Sequence, residues 1–331
     1  MLALVRSTLS AMRSARHKAP VDFNPENQTY NNTHVYRGFP LATLGSGGFN
    51  VSTTGGFENY RMHNNWMQPV KFVPGSFWAV HCANKEQRWA RILRQQVPEG
   101  TKEYRAIDAI ERVTFKGEIP TFEQSFHGNL PLEIRAEGFA PMSLNAPKDS
   151  TLPIAFFKIH FHNLSAQPLS LAFLFSWQNI LGFGGIGCGG MPKNTWGMPT
   201  LIPSKTYQNQ QPNRQEEYED EELYGLRFLS GDHWKNDELR HSTQGTHLLL
   251  ASKNEFWQLS TVEKWDPTNL NSPMLAEFAQ TGKIASAPEI GEHATAAAIC
   301  ANTTIEAGAK TQLDFQLTYW TPGHVVRQER S

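Results

Sequence analysis

The chain has 331 residues, a net charge of −1, 39% apolar residues, 11% aromatic residues and 18% charged residues. This length predicts one or two domains with a large buried core, and the 25 glycines and 20 prolines indicate many turns. The near-zero charge argues against a nucleic-acid partner, and no stretch approaches the roughly 18 consecutive apolar residues of a transmembrane segment.

The three cysteines, Cys82, Cys188 and Cys300, are odd in number and widely spaced. This pattern disfavours a disulfide framework or a zinc site and indicates free thiols in a reducing compartment. We therefore predict a cytoplasmic protein that holds no metal and no cofactor.

Residues 1–20 form a basic segment with four lysine or arginine residues and no acid. Leu2, Val5, Leu9 and Met12 lie at helical spacing, which leaves open an organelle-targeting or membrane-surface helix. Amphipathic patterns this short are common by chance. Residues 1–30 are therefore predicted to be a flexible extension, and residues 31–331 to be the folded domain.

Glycines and an asparagine-rich turn mark the first folded stretch. Gly55–Gly56 lies between two short β-rich runs and predicts a hairpin. Asn64, Asn65 and Trp66 form a polar and aromatic group that can stack on a sugar ring and hydrogen-bond its hydroxyls, whereas a turn with one packed tryptophan is the structural alternative. Residues Asn84–Arg94 predict a short helix.

Three strands with period-two alternation lie between residues 129 and 177. They are Leu132–Phe139, Phe157–His162 and Leu169–Trp177. The second places His160 and His162 on one face, but the further glutamate and third histidine of a jelly-roll metal site are missing, so two surface histidines are favoured. The third strand carries large side chains on one face and small or apolar ones on the other, which predicts a central strand covered on both sides.

Two loops are predicted in the next part of the chain. Gly182–Gly190 contains a literal G-x-G-x-x-G, but the prolines at positions 192, 199 and 203 exclude the helix that a dinucleotide site requires. We predict a loop at the edge of a sandwich there. Glu216–Glu222 holds six acids in seven positions, and a solvated loop is favoured over a calcium site because the EF-hand spacing is absent.

The remaining pattern completes an all-β chain. Tyr224–Phe228 and Leu313–Tyr319 are predicted strands, and Pro273–Ala279 is a predicted short helix. The fold class is therefore an antiparallel β-sandwich with Gly/Pro-rich loops and few short helices.

Ordered motifs along the chain resemble the N-terminal domain of glycoside hydrolase family 116, the family of non-lysosomal β-glucosylceramidases and microbial β-glucosidases. The opening runs are GFPLATLGSGGF from Gly38 and GGFENYRMHNNW from Gly55, and the closing run is LDFQLTYWTP from Leu313. Between them lie segments that resemble family motifs, namely Phe139–Pro141, Ser150–Pro153, His162–Asn163 and Phe175–Asn179. The chain departs from the pattern where Ala42-Thr43 replaces a glycine pair and where Tyr319-Trp320 shifts the last aromatic residue.

The resemblance implies a β-sandwich of the supersandwich kind that accompanies a helical toroid. In the family, the glutamate nucleophile and the aspartate acid/base of retaining hydrolysis lie in that toroid, and no position of this chain matches either of them. We therefore expect an accessory domain with no catalytic residues. The resemblance implies a helical catalytic domain as its partner, in cis or in trans, and a β-glucoside or glycolipid as the ligand.

Two other functions remain open from the residues alone. A stand-alone carbohydrate-binding module would use aromatic faces and amides, because these contact sugar rings and hydroxyls. A self-sufficient hydrolase would need two paired carboxylates of its own, such as two of Glu58, Glu123 and Glu133, although nothing in the sequence pairs them. The candidate sugar-contact residues of the module are Asn64, Asn65, Trp66, Trp177, Asn179 and Trp196.

Overall fold

A computed structural model describes residues 23–24, 29–30, 38–43, 47–62, 70, 72–97, 101–142, 145–181, 213–231, 245–284, 288–289 and 294–320. The strands of the first half are β1 Phe23–Asn24, β2 Thr29–Tyr30, β3 Gly38–Thr43, β4 Gly47–Ser52, β5 Phe57–Glu58, β6 Phe77–Ala83, β7 Arg88–Ile92, β8 Asp108–Ala109, β9 Arg112–Glu118, β10 Thr121–His127 and β11 Leu132–Phe139. Those of the second half are β12 Ile154–Asn163, β13 Leu169–Gln178, β14 Arg214–Glu219, β15 Leu223–Leu229, β16 Thr246–Ser252, β17 Gln258–Trp265, β18 Ala296–Ile305 and β19 Lys310–Trp320. One α-helix within these ranges, α1, spans Pro273–Thr281, and a 3₁₀ turn spans Asp149–Thr151.

The described strands form three sheets. The large sheet has ten strands in the order β1-β2-β9-β10-β11-β12-β19-β16-β15-β14, and the second has six in the order β17-β18-β13-β6-β7-β8. A small sheet has the order β3-β4-β5. Neighbouring strands are antiparallel except for the parallel β7–β8 pair, so the predicted antiparallel β-sandwich is confirmed.

The main core lies between the large sheet and the six-stranded sheet. Alternation in β11 and β12 turns Ile134, Phe157 and Phe161 inward, where they meet the apolar face of β13. Strand β13 pairs with β18 on one side and β6 on the other, so its predicted central position is confirmed. The predicted strand Leu132–Phe139 has the observed bounds, while those predicted at Phe157–His162 and Leu169–Trp177 extend to Ile154–Asn163 and Leu169–Gln178.

A second apolar cluster covers the other face of the six-stranded sheet. Helix α1 buries Met274, Leu275 and Phe278 against that face, which includes Leu174 of β13. The helix begins after Ser272, whose Oγ accepts a hydrogen bond from the backbone N–H of Leu275. It ends at Thr281, and the following Gly282 has a φ of 69°. The helix predicted at Pro273–Ala279 is therefore confirmed.

The helix predicted at Asn84–Arg94 is wrong, because these residues form a turn and strand β7. The Asn84 side chain accepts hydrogen bonds from the backbone N–H groups of Glu86 and Gln87, which closes a turn between β6 and β7. Pairing of β7 with β6 satisfies its backbone within the sheet. The tertiary pairing overrides a local pattern of helix-forming residues.

The prediction of a solvated loop at Glu216–Glu222 is also wrong for residues 216–219. Residues 216–219 belong to β14, where Arg227 binds Glu216 and Lys253 Nζ lies 2.8 Å from Glu219 Oε1. Asp220 then accepts backbone hydrogen bonds from Glu222 and Leu223 in the hairpin turn. Neutralisation by neighbouring cations allows this acidic run to pair as a strand.

Other predictions have mixed outcomes. The hairpin at Gly55–Gly56 is confirmed, because both glycines adopt positive φ between β4 and β5. The glycine loop at 182–190 and the basic residues 1–20 lie outside the described residues. Within the described ranges, no helix is long and apolar enough to cross a membrane.

Candidate functional site

A cavity of about 610 Å³ lies on the outer face of the ten-stranded sheet. Its lining residues come from β9, β10, β11, β12, β19 and β16, which are consecutive neighbours in the sheet. Successive side chains of a strand point to opposite faces, so the residues that alternate with the core residues form this surface. Every residue in the lining belongs to the described part of the chain.

Two phenylalanines form an aromatic platform in the cavity. Phe139 of β11 and Phe156 of β12 are directly opposite in the antiparallel register, and their rings stack with centroids 5.0 Å apart and an interplanar angle of 23°. Phe139 is 41% exposed. Large aromatic side chains normally gain stability by leaving water, so this exposed pair provides apolar surface for a contact.

A row of charged side chains crosses the sheet beside the platform. Cross-strand register places Lys116 opposite Glu123, Glu123 opposite Glu137, and Glu137 opposite Lys158. Asp314 of β19 continues the row beyond Lys158. Acids and bases alternate only partly, because two glutamates are direct neighbours.

Arg135 of β11 forms ion pairs with both of those glutamates. Its Nη1 lies 2.9 Å from Glu123 Oε2 and 2.5 Å from Glu137 Oε1. All three side chains are more than a third exposed, so these ion pairs contribute little to the stability of the fold. Their consequence is geometric, since a guanidinium group occupies the space between the two carboxylates.

One acceptor in the cavity lacks a partner. Asp314 Oδ1 is shielded from solvent and has no hydrogen-bond partner among the described residues. A shielded acceptor of this kind is costly unless a ligand, an ion or a water donates to it.

The two histidines of β12 lie next to this cavity. His162 Nδ1 is 3.1 Å from Glu133 Oε2, and His160 Nε2 is 3.2 Å from Glu137 Oε1. Desolvation and then the Arg135 charge lower the pKa of His160. The described residues contain no group of three metal-ligating side chains, and a different carboxylate lies near each of the two imidazoles.

The structure places two predicted sugar-contact residues in the interior. Trp177 is fully buried between the two large sheets, and its Nε1 donates to His247 Nδ1 at 3.3 Å. Asn179 is fully buried as well, and its amide donates to the backbone carbonyls of Arg214 and Leu229. In this structure both side chains hold sheet elements together, and neither lines the outer cavity. The other four, Asn64, Asn65, Trp66 and Trp196, lie outside the described residues.

The carboxylates considered for catalysis are separated. Glu123 lines the cavity and Glu133 binds His162 beside it, whereas Glu58 belongs to β5 in the small sheet. The carboxylate opposite Glu123 in the sheet is Glu137, which the sequence analysis did not include among the catalytic candidates.

Phe139 and Phe156 were also missed, although the sequence contains a signal for them. Each is a large aromatic residue in phase with the charged positions of its strand: Phe139 follows Glu133, Arg135 and Glu137, and Phe156 precedes Lys158. An aromatic residue on the polar face of an alternating strand indicates a contact surface.

Glu58 makes the stability of the domain depend on pH. Burial raises the pKa of this carboxyl from 4.5 to about 7, and its Oε1 has no hydrogen-bond partner among the described residues. Between pH 4.5 and 7 the folded state retains a proton that the unfolded chain releases, so stability is highest below this window and falls as pH rises through it.

We expect Glu58→Gln to remove this dependence. Above pH 7 the variant should be more stable than the unmodified chain by on the order of 2 kcal/mol, because it avoids a buried charge. Urea unfolding at pH 5 and pH 8 measures the difference, with the exposed Glu255→Gln as the control. Equal pH profiles for the Glu58→Gln variant and the unmodified chain would contradict the prediction.

The fold is an all-β sandwich domain, and its candidate site is the cavity on the outer face of the ten-stranded sheet. A family model described as beta-glucosidase 2, glycosyl-hydrolase family 116 N-term, matches residues 38–331. The chain therefore belongs to the family of N-terminal domains of glycosyl hydrolase family 116, as its motifs predicted. It is a glycosidase-associated domain.

Solved structures show only a distant likeness. A putative kojibiose phosphorylase from the human microbiome is 12% identical with a TM-score of 0.40, and a polysaccharide lyase is 9% identical with a TM-score of 0.33. Each alignment covers 92% of this chain, but 34% and 32% of the respective neighbour, so the chain spans about a third of their length. A search of curated proteins found no match.

Proposed function

We propose that this chain is the accessory domain of a family 116 glycosidase and supports a separate helical catalytic domain, in cis or in trans. The observation that carries the proposal is the family match, which extends over residues 38–331 and thus over the three-sheet domain from β3 onward. The activity of the assembled enzyme is retaining hydrolysis of a β-glucoside or of glucosylceramide. The catalytic carboxylates of that reaction belong to the partner.

The outer cavity supports a non-catalytic role for this chain. A retaining glycosidase places the scissile bond between two carboxylates about 5–5.5 Å apart. Here the paired carboxylates are Glu123 and Glu137, and Arg135 lies between them. A guanidinium in that position excludes the glycosidic oxygen from the space between the two acids.

The chain should therefore not hydrolyse an aryl β-glucoside by itself. We expect no turnover above background with the purified chain, and turnover when a family 116 catalytic domain is added. In the mixture, this chain should also raise the melting temperature of the catalytic domain, because it would cover part of its surface. Turnover by the chain alone that disappears in Glu123→Gln or Glu137→Gln would overturn the proposal, as would a catalytic domain that is equally active and equally stable without it.

Cytoplasmic residence is part of the same proposal. Cys82 and Cys300 are buried free thiols, which fits a reducing compartment.

A stand-alone carbohydrate-binding module is the second candidate function. The observation that favours it is the outer cavity, where an exposed aromatic pair lies beside hydrogen-bonding side chains. This function needs no catalytic partner, and the turnover assay separates it from the first.

A further inference from the structure

We propose that the outer cavity of the ten-stranded sheet binds a neutral oligosaccharide that stacks on Phe139 and Phe156. This site differs from the sugar contacts expected from the sequence. The proposal rests on the second candidate function, the carbohydrate-binding module, and it does not depend on a catalytic partner, because all of the lining belongs to this chain.

The aromatic platform accounts for the stacking contact. The rings of Phe139 and Phe156 lie nearly parallel at 5.0 Å and form one continuous apolar surface. Sugar rings present C–H groups on their faces, and aromatic side chains in binding sites contact such apolar faces. The patch is confined to two side chains among charged residues, which fits a small ligand surface better than the apolar core of a large interface.

The polar lining favours a neutral ligand with many hydroxyl groups. Four carboxylates and two lysines line the cavity, and Arg135 binds two of those carboxylates from beside it. The four carboxylates are nearly balanced by the three cations, so the lining attracts neither a strongly anionic nor a strongly cationic ligand. Hydroxyl groups can donate to the carboxylates and accept from the lysines. The charged lining residues are Lys116, Glu118, Glu123, Glu137, Lys158 and Asp314.

Asp314, Ser252 and Gln316 form the lining on the side of β19 and β16. Asp314 Oδ1 is shielded from solvent without a partner in the described part of the chain. The neighbouring Ser252 and Gln316 add uncharged donors and acceptors. Sugar hydroxyls can donate to and accept from the hydroxyl and the amide of these two residues.

The dimensions of the cavity favour an extended ligand. The lining crosses six neighbouring strands, and five spacings of about 4.8 Å give a width of about 24 Å. The volume of about 610 Å³ lies within the usual range of ligand sites. A chain of several sugar rings that runs across the strands would contact both the platform and the charged row.

Isothermal titration calorimetry on the full chain tests the proposal. Cellohexaose, laminarihexaose and maltohexaose are titrated separately to millimolar concentration, with spermine and an oligogalacturonate as charged comparators. We expect at least one hexaose to bind, and Phe139→Ala and Phe156→Ala each to weaken it about five- to tenfold. Phe256→Ala removes a phenylalanine that is 68% exposed at a turn away from the cavity, and it should leave binding unchanged.

Several outcomes would overturn the proposal. These are no heat with any hexaose, equal affinity in the Phe139→Ala and Phe156→Ala variants, or binding of only a charged comparator. Circular dichroism and melting temperature verify that the variants fold, which is expected because the platform lies outside the core. If the two variants no longer bind a family 116 catalytic domain and no hexaose binds the unmodified chain, the face is a protein interface and the sugar site is rejected. That result does not contradict the accessory function. Turnover by the chain alone would reject the accessory function, and the sugar site would still be tested by calorimetry.

Discussion

Replacing Trp177 with alanine should lower the free energy of unfolding by about 4 kcal/mol. The indole is fully buried, and it packs edge to face against Phe49, Phe57 and Tyr60 at centroid distances of 5.5–5.6 Å. Its Nε1 also donates to His247. Truncation therefore removes a large apolar side chain, several aromatic contacts and one buried hydrogen bond. Urea unfolding followed by far-ultraviolet circular dichroism measures the loss.

Trp320→Ala is the matched control for this prediction. This indole is 61% exposed at the end of β19, so its removal should change stability by no more than about 0.5 kcal/mol. Selective loss of hexaose binding in Trp177→Ala, with stability unchanged, would instead return Trp177 to its predicted role as a sugar contact.

Replacing Asn163 with aspartate should destabilise the domain by about 3–5 kcal/mol. The Asn163 side chain is fully buried at the end of β12, and its Nδ2 donates to the carbonyls of Gln167, Ile305 and Glu306 at 2.7–3.1 Å. Its Oδ1 accepts from the backbone N–H and the hydroxyl of Ser165. Aspartate has nearly the same shape but would point a carboxylate oxygen at three carbonyl oxygens. The free energy of unfolding and its pH dependence measure the effect, and lowering the pH should recover part of the loss by protonating the new carboxyl.

Asn84→Asp tests the same change of chemistry in the opposite setting. Asn84 Oδ1 accepts two backbone hydrogen bonds in the β6–β7 turn, and a carboxylate can accept both. We expect a change below about 0.5 kcal/mol. Equal losses in the two variants would show that the three donated hydrogen bonds of Asn163 are not the cause.

The outcome for β13 shows how far local patterns extend. Alternation in Leu169–Trp177 predicts a strand with two covered faces, and the structure places it between β18 and β6 with α1 beneath one face. The same alternation does not predict which of the two covered faces of β13 packs against the ten-stranded sheet. Trp177 was therefore predicted to contact a ligand, although the small sheet and strand β16 of the ten-stranded sheet bury it.

The charged row of the cavity shows what local sequence patterns do not predict. The row joins residues of β9, β10, β11, β12 and β19, and the β12–β19 pair brings together Lys158 and Asp314, which are distant in the sequence. No local pattern encodes that register. A strand sequence states only which side chains share a face, whereas neighbours across strands depend on the pairing order of the sheet.

Sequence alone determined the strand content and the two-faced character of β11, β12, β13 and β19, because period-two alternation is a local property of the chain. It also determined the helix at Pro273 and the membership in family 116, because capping residues and ordered motifs are local properties as well. Tertiary structure decided that Asn84–Arg94 forms a turn and strand β7, and that Trp177 and Asn179 are interior residues. It also decided that Phe139, Phe156, Glu123 and Glu137 share one cavity. The physical reason is that burial and cross-strand contact arise only when distant strands pair and the sheets pack face to face.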